Sequence, residues 1–346
     1  MSKYIELKKN IINYIKEKDL KPHDLIPSTK GLEELYNVST ITIRKAIDEL
    51  VNEGVLYRVH GKGTYVAEKE NKYLEIYNVI PTIFNDDPVI NSCSIMPELL
   101  KVIQKKLFAN QMEMIISSHN YNENLERNIL KHVLRKEIDG IIIMQAGHPS
   151  NIPYYSQVAN KFTNNVFIDT YIPEIDSNFV VSDNYMASYK LCEKLCEQKI
   201  RRIYRITYSE VKGTAVSDRQ KGLDDCIKKY PNIEFVNINY NYVDFNDFKE
   251  KIYNFFKEEV IKEPFGIFII NAVTAHYFYE ACHDIINKYK WHLATFEKPI
   301  DKYPKNVHIY WAEQNLDAIA EKVIEILKIN PSQKQHVYIP AIIHNI

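Results

Sequence analysis

Glycine is scarce in this sequence, with 9 residues among 346. Neither G-x-x-x-x-G-K-[ST] nor G-x-G-x-x-G occurs, and these are the glycine-rich loops that hold nucleotide phosphates. The G-x-S-x-G turn of serine hydrolases and the H-E-x-x-H helix of zinc proteases are also missing. These absences argue against an enzyme that uses a nucleotide, a serine nucleophile or a zinc ion in those ways.

Long apolar runs and a disulfide framework are missing as well. No apolar stretch approaches the roughly 18 residues of a membrane span, and the opening MSKYIELKKN is too polar for a signal peptide. The 5 cysteines are odd in number and scattered, which favours a reducing compartment. Cys192 and Cys196 share one predicted helix, but no second Cys/His pair lies near them in the sequence, so we expect packing and no metal. The sequence therefore predicts a cytoplasmic protein with no membrane partner and no cofactor.

The first seventy residues have the pattern of three helices and a strand pair. Isoleucines at near-helical spacing predict a helix over residues 2–18, and a proline-containing segment ends it. Ser28 is placed to cap a second helix, and Ser39 or Thr40 to cap a third, which ends before Gly54. VLYRV and TYV then predict two short strands around the turn HGKG.

The third helix is predicted to be amphipathic, with a cationic amino-terminal face. Thr40, Arg44 and Lys45 lie opposite its apolar stripe. Two helices joined by a short turn form a helix-turn-helix, whose second helix reaches base edges in the major groove. We therefore expect double-stranded DNA as a partner. The predicted apolar stripe consists of Ile43, Ala46, Ile47 and Leu50.

The hairpin turn combines small residues with cationic donors. Glycines permit close approach to a duplex, and Lys62 can contact phosphates or a narrow groove. An ordinary surface hairpin would show the same glycines, so the hairpin alone leaves both interpretations open. The order of three helices and a hairpin within seventy residues favours a DNA-binding wing. The turn residues are His60, Gly61, Lys62 and Gly63.

Residues 3–67 resemble the winged helix-turn-helix of the gluconate-repressor (GntR) family of bacterial regulators. The matching segments are PS before the second helix, VS and TIR in the third, EGV after it, and GKGTYV in the wing. The chain departs from the family pattern at Lys30 and Thr40, where arginine is usual. The resemblance implies an α+β DNA-binding domain over residues 1–67. Together with the helix pattern, it implies DNA contacts from Lys30, Ser39, Thr40, Thr42, Arg44, Lys45, His60, Gly61, Lys62 and Gly63.

The rest of the chain alternates strand-like and helical segments after a charged linker, EKENKY, over residues 68–73. Alternation of this kind predicts parallel sheets covered by helices on both faces, and the number of strands favours two α/β lobes. Ligands of such folds bind at the carboxyl ends of strands. Polar residues are predicted at those ends, and donors and acceptors together suit a hydroxyl-rich small molecule. They are Asp183, Asn184, Arg219, Asn271 and Glu297.

Residues 74–346 resemble the periplasmic-binding-protein-like effector domain of the lactose-repressor (LacI) family. The segments VSDN, SDRQKGL, FIINAVTA and EQNLDAIAEKVIEIL carry the likeness. The segment FNDDPVINSCSIM is longer than usual and offers Phe84, Asn91 or Ser94 as further contacts. The resemblance implies a first lobe over about 74–184 plus 304–329, and a second over about 185–303 plus 330–346. It implies ligand contacts from Phe84, Asp183, Arg219, Asn271, Glu297 and Gln314.

A winged helix joined to such a module is the architecture of arabinose-repressor-like regulators. The resemblance implies a repressor of carbohydrate-utilisation genes, with a palindromic DNA operator, a homodimer, and a pentose or deoxyhexose bound between the lobes. Two alternatives stay open: the second half could bind a non-sugar metabolite or retain an enzymatic activity. A chorismate-lyase-like module would be too short for this chain, and a Schiff-base lysine context is not evident.

Overall fold

The computed structural model describes residues 3–68, 73–82, 86–209, 213–240, 245–262, 264–329 and 333–346. The chain forms two compact units, Met1–Tyr73 and Leu74–Ile346. Most of the predicted linker, residues 69–72, lies outside the described residues. No helix within the described ranges is both long and apolar enough to cross a membrane.

The smaller unit is a winged helix-turn-helix, as predicted. The Ser28 and Ser39 hydroxyls accept from the backbone amides of Gly31 and Thr42 and so begin the second and third helices. Asn37, in the left-handed conformation at φ 52°, ends the second helix and makes the short turn. Apolar side chains from all the elements meet in one core. The elements are α1 (Lys3–Glu17), α2 (Thr29–Tyr36), α3 (Thr40–Asn52), β1 (Leu56–Val59) and β2 (Gly63–Val66).

The first lobe of the larger unit is built on a parallel sheet of six strands among the described residues, in the order β13-β7-β6-β5-β3-β4. Its central strands are buried on both faces, because one apolar core lies under α5 and α12 and another under α6 and α7. The elements are β3 (Leu74–Ile80), α4 (Pro88–Cys93), α5 (Met96–Ala109), β4 (Met112–Ser118), α6 (Glu123–Val133), β5 (Gly140–Ile143), a 3₁₀ turn (Pro149–Asn151), α7 (Ile152–Lys161), β6 (Asn165–Ile168), β7 (Phe179–Ser182), α12 (Leu316–Ile329) and β13 (His336–Ile339).

The second lobe has a sheet of the same size in the described chain, in the order β14-β12-β11-β10-β8-β9. Among the described strands of this sheet, only the edge strand β14 runs antiparallel to its neighbour. Helices α8 and α9 cover one face, and α10 and α11 cover the other. The elements are α8 (Asn184–Cys196), β8 (Arg202–Tyr208), α9 (Thr214–Ile227), β9 (Glu234–Tyr240), α10 (Phe245–Glu258), β10 (Phe265–Ile269), α11 (Ala272–Ile286), β11 (Trp291–Phe296), β12 (His308–Glu313) and β14 (Ile342–Asn345).

Two of the expected lobe boundaries differ from the structure. We expected residues 304–329 in the first lobe, but β12 is hydrogen-bonded between β11 and β14 in the second sheet. We expected residues 330–346 in the second lobe, but β13 pairs with β7 in the first sheet. The chain therefore crosses between the lobes after β7, between β12 and α12, and between β13 and β14. Backbone pairing between strands distant in sequence decides these positions.

Helices α8 and α9 pack in backbone contact at Gly222. A Cβ built on Gly222 would lie 2.1 Å from the Tyr185 carbonyl oxygen and 3.2 Å from the Ser188 Cβ. Only glycine fits there, although glycine inside a helix usually costs about 1 kcal/mol relative to alanine. The helices therefore owe their close spacing to this one missing side chain.

Replacing Gly222 by alanine is expected to lower the free energy of unfolding by about 1–3 kcal/mol, because the added methyl group overpacks the interface. Urea denaturation followed by circular dichroism measures the change. Gly31→Ala is the matched control, since the nearest atom to its Cβ would lie at 3.4 Å. If Gly222→Ala were as stable as the wild type, the close helix contact would be wrong.

Candidate functional site

The exposed face of α3 presents the candidate DNA-reading side chains. Arg44 and Lys45 are exposed, and the Lys45 ammonium lies 4.2 Å from the centre of the Tyr4 ring. The Thr42 hydroxyl is 2.9 Å from the Ser39 hydroxyl, and the Thr40 hydroxyl donates to the Glu33 carboxylate on α2. The threonines are thus held within the protein, whereas Arg44 projects from it.

The lysine and arginine residues of the predicted contact set form no ion pair within the part of the chain that the structure describes: Lys30, Arg44, Lys45 and Lys62. Arg58, by contrast, pairs with Asp48 at 2.6 Å. Unpaired exposed cations remain available for phosphates or base edges. This is the charge distribution that a DNA-binding surface requires.

The wing is a tight antiparallel hairpin. Val59 pairs with Gly63, which leaves His60, Gly61 and Lys62 at the tip, all exposed. Gly61 and Gly63 have φ angles of 72° and 131°, a backbone region that favours glycine. The predicted small, cationic tip is therefore present.

Ile41 is a residue of this surface that sequence reasoning left out of the contact set. It lies on the first turn of α3 and is 80% exposed, more than any other large apolar residue in the part of the chain that the structure describes. An apolar side chain that enters the major groove can contact the thymine methyl group. The signal in the sequence was an isoleucine on the polar side of the predicted helix.

Arg219 is the centre of the candidate ligand site in the larger unit. It lies on α9, is 7% exposed, and donates from Nε to the Asn184 Oδ1 at 2.8 Å and from Nη1 to the Ile270 carbonyl at 3.1 Å. Its Nη2 lies 3.3 Å from the Glu297 Oε1. The guanidinium also stacks over the Phe296 ring, 3.7 Å from the ring centre. The fork is held in one orientation at the carboxyl ends of β10 and β11.

Gln314 connects this cluster to the crossings between the lobes. Its Nε2 donates to the Glu297 Oε1 at 3.2 Å, and its Oε1 accepts from the Ser182 hydroxyl at 2.7 Å. Ser182 ends β7, where the chain first crosses, and Gln314 follows β12, where it crosses again. The polar network therefore runs from Arg219 through Glu297 and Gln314 to the segments where the chain crosses between the lobes.

The remaining residues expected to contact the ligand are not joined to the Arg219 network by any hydrogen bond observed among the described residues. The Asn271 amide donates to the Tyr208 hydroxyl, and its Oδ1 caps α11 by accepting from the Thr274 amide at 2.9 Å. Asp183 caps α8 through the Met186 amide at 3.0 Å, and no contact between it and Arg219 is seen in the described residues. Phe84 lies outside the described residues.

The long segment after β3 extends to the second lobe. Val89, Ile90 and Cys93 of α4 pack against the apolar core under α11, and the Tyr277 hydroxyl donates to the Asp87 carboxylate. Asn91 lies on the same helix, and the Ser94 hydroxyl, in the short connection before α5, accepts from the Met96 amide at 3.2 Å. The segment therefore joins the two lobes beside the candidate site.

Asp169 is a site residue that sequence reasoning did not name. It follows β6 of the first lobe, and burial raises the pKa of its carboxyl, with Arg219 opposing the rise and Glu297 adding to it. Asp169 and Glu297 have φ angles of 64° and 59°, a backbone conformation that costs a non-glycine residue roughly 1 kcal/mol or more. Such strain is concentrated at ligand-binding positions. Asp169 belongs to the first lobe and Glu297 to the second, and the charges of Arg219 and Glu297 both act on the Asp169 carboxyl.

Comparison with known proteins assigns the smaller unit. Residues 3–66 match the family model described as bacterial regulatory proteins, gntR family. The amino-terminal unit is a gntR-family domain. This finding confirms the resemblance seen in the wing and the third helix.

Two relatives extend beyond this domain. The chain is 29% identical over 232 residues to the arabinose metabolism transcriptional repressor of Halalkalibacterium halodurans, covering 64% of this chain and 62% of the relative. It is 26% identical over 210 residues to the protein of the same name from Geobacillus stearothermophilus, covering 59% and 56%. The match thus spans about three fifths of the length of these relatives.

Solved structures establish the fold of the larger unit. One is the Cra transcriptional dual regulator of Pseudomonas putida in complex with fructose 1-phosphate, with a TM-score of 0.63, 13% identity, and cover of 78% of this chain and 97% of that one. Another is GanP, a glucose-galactose binding protein of Geobacillus stearothermophilus, with a TM-score of 0.61, 18% identity, and cover of 80% and 98%. The predicted two-lobed fold of the lactose-repressor and periplasmic-binding-protein type is confirmed.

Proposed function

We propose that this chain is a DNA-binding transcriptional repressor of carbohydrate-utilisation genes, controlled by a small sugar bound between the lobes of its larger unit. The observation that carries the proposal is the buried Arg219–Glu297–Gln314 network at the strand ends, in a chain whose first unit is a gntR-family domain. Two relatives are named as repressors of arabinose metabolism. A pentose is therefore the favoured effector, with a deoxyhexose next.

The chemistry of the cleft suits hydroxyl groups. Arg219 offers only donors, Glu297 and Asp169 offer acceptors when ionised, and the Gln314 and Asn271 amides offer both. A sugar hydroxyl needs one acceptor and one donor, so neighbouring pairs of these side chains match it. Because Arg219 and Gln314 are each 7% exposed, a bound hydroxyl would meet few competing waters.

Control of DNA binding requires that the sugar bind one state of the repressor more tightly. A coupling of roughly 1–3 kcal/mol changes operator affinity about 5- to 150-fold. A homodimer on a palindromic operator would place two copies of α3 on half-sites of matching symmetry. We place the protein in the cytoplasm, where its DNA lies, and assign it no catalytic activity.

A DNA-binding assay with a sugar screen tests the proposal. Double-stranded DNA selected from a random pool by the full chain is expected to contain an inverted repeat. L-arabinose or another pentose is expected to raise the melting temperature, since a ligand at about 100 times its Kd stabilises the native state by roughly 2.7 kcal/mol. The same sugar should change the mobility shift of the selected DNA.

The arms of the screen separate the parts of the proposal. Failure to enrich any DNA sequence would contradict the repressor assignment. Stabilisation by an organic acid or an amino acid in place of any sugar would contradict the effector class. A sugar that stabilises the protein and tightens DNA binding would identify a co-repressor, and one that weakens DNA binding would identify an inducer.

A further inference from the structure

Three cysteines meet between α8 and α9. Two of them are neighbours on α8, and the third comes from α9, about thirty residues further along the chain. Ser188, Cys192 and Cys196 follow one another at four-residue spacing on one face of α8. Gly222 and Cys226 have the same spacing on α9. Because Gly222 lets the helices touch, Cys226 comes to lie against the two cysteines of α8.

The three sulfur atoms form a compact set. All lie within 4.8 Å of one another, and the Cys192 and Cys196 sulfurs are 3.9 Å apart. Cys192 and Cys226 are fully buried, and Cys196 is 8% exposed. Two thiolates bound to one ion at about 2.3 Å lie roughly 3.8 Å apart in tetrahedral geometry, so little movement separates this arrangement from a coordinated one.

We propose that Cys192, Cys196 and Cys226 form a trithiolate site for a thiophilic metal or metalloid ion. Thiolates select soft ions over Mg²⁺ or Ca²⁺. Within the described residues, no fourth His, Cys, Asp or Glu joins the group, which favours an ion satisfied by three sulfurs. A disulfide uses two of the thiols and leaves the third, so oxidation does not explain why three converge.

The charge balance differs between the two kinds of ion. A divalent ion displaces three protons from the thiols and leaves a complex with one negative charge. The positive charge of Lys229, which acts on Cys226, would offset it. Arsenite, As(OH)₃, reacts with three thiols to give As(SR)₃ and three water molecules, and that complex is neutral. The divalent ion and the arsenic atom would bind the same three sulfurs, so the experiment must determine which of the two the site prefers.

The position of the site allows an ion to enter. Cys196 is the last residue of α8, and Cys226 is the last but one of α9. Final helical turns open more easily than central ones. Because Arg219 lies about two turns before Cys226 on α9, a bound ion would also fix the helix that carries the cleft arginine.

Cadmium titration of the full chain tests the site. In a reduced, metal-free protein carrying Cys93→Ser and Cys282→Ser, Cd²⁺ is expected to produce a near-ultraviolet sulfur-to-metal charge-transfer band that saturates at one equivalent. Adding Cys226→Ser should weaken binding at least about tenfold. Cd²⁺ should also raise the melting temperature of the three-cysteine protein. Arsenite in place of Cd²⁺, followed by intact mass, determines which kind of ion binds more tightly.

Several results would overturn the site. If Cys226→Ser left cadmium binding unchanged, the ion would bind elsewhere. The same conclusion would follow if cadmium binding were lost in the protein that lacks only Cys93 and Cys282. If Cys226→Ser fails to fold, the rates of iodoacetamide labelling of the unmodified chain replace it, measured in mild urea with and without one equivalent of Cd²⁺, because the buried thiols react only when the helix ends open. Slower labelling of Cys192, Cys196 and Cys226 together in the presence of Cd²⁺ supports the site, and labelling rates unchanged by Cd²⁺ at all three refute it.

Discussion

Replacing Arg219 by alanine is expected to abolish the effector response and leave operator binding intact. Arg219 is buried and bonds to Asn184, the Ile270 carbonyl and Glu297. A hydrogen bond between a charged side chain such as Arg219 and a sugar hydroxyl contributes about 1.5–3 kcal/mol. Effector affinity should therefore fall roughly 10- to 150-fold, since each 1.4 kcal/mol corresponds to a factor of ten.

Isothermal titration with the stabilising sugar, together with mobility shifts of the selected DNA, measures both properties. Arg202→Ala is the matched control. Arg202 is 8% exposed and ion-paired with Glu234 and Glu259. It is the first residue of β8, however, and so lies at the amino ends of the strands, away from the cleft at their carboxyl ends. It should lose stability while retaining the sugar response.

Arg219→Lys refines the interpretation. Lysine keeps the positive charge but lacks the planar fork that reaches three partners at once. We expect a sugar affinity between those of the wild type and Arg219→Ala. A folded Arg219→Ala protein with unchanged sugar affinity would show that the ligand binds elsewhere.

Local patterns predicted the elements of the fold better than their assembly into lobes. Alternating strand and helix segments were sufficient to predict parallel sheets covered on both faces. The placement of β12 and β13 was missed, because it depends on hydrogen bonds to strands far away in the sequence. The same limit applies to Cys226, which only tertiary packing brings beside Cys192 and Cys196.

Some residues of the candidate sites were predicted from the sequence, and others were found only in the structure. Arg219 and Glu297 were named from the polar residues at strand ends and Gln314 from the resemblance, and the structure brings them into one network. Asp169 was missed because an acid after a strand is common, and only its left-handed backbone, its burial and its electrostatic interaction with Arg219 distinguish it. Ile41 was left out although it lies on the polar side of the predicted helix, because the pattern gives no measure of exposure, and the folded structure shows this side chain to be 80% exposed.

Replacing Arg44 by alanine is expected to weaken binding to the selected operator by about 1–3 kcal/mol, or roughly 5- to 150-fold. Arg44 is exposed on α3 and carries no ion pair among the described residues, whereas the nearby Thr40 and Thr42 hydroxyls are already bonded within the domain. It is therefore the side chain on this face that is best placed for a bidentate contact with guanine. Its loss should also relax the sequence preference at one base pair.

Fluorescence anisotropy with the operator and with random duplex DNA, at several salt concentrations, measures the effect. Lys62→Ala in the wing should weaken binding to both duplexes alike and reduce the salt slope by about one, as expected for a phosphate contact. Lys16→Ala, at the exposed end of α1, removes the same charge from the same unit and should leave the affinity nearly unchanged.

The comparison of the two duplexes decides what Arg44 contacts. A base contact is made only with the right sequence, so its loss lowers operator affinity more than random-DNA affinity. A phosphate contact is made on any duplex, so its loss lowers both equally. If Arg44→Ala, like Lys62→Ala, lost as much affinity for random DNA as for the operator, both residues would be assigned to contacts with the DNA backbone. Recognition of the base sequence would then have to rest on the remaining exposed side chains of α3, with Ile41 first among them.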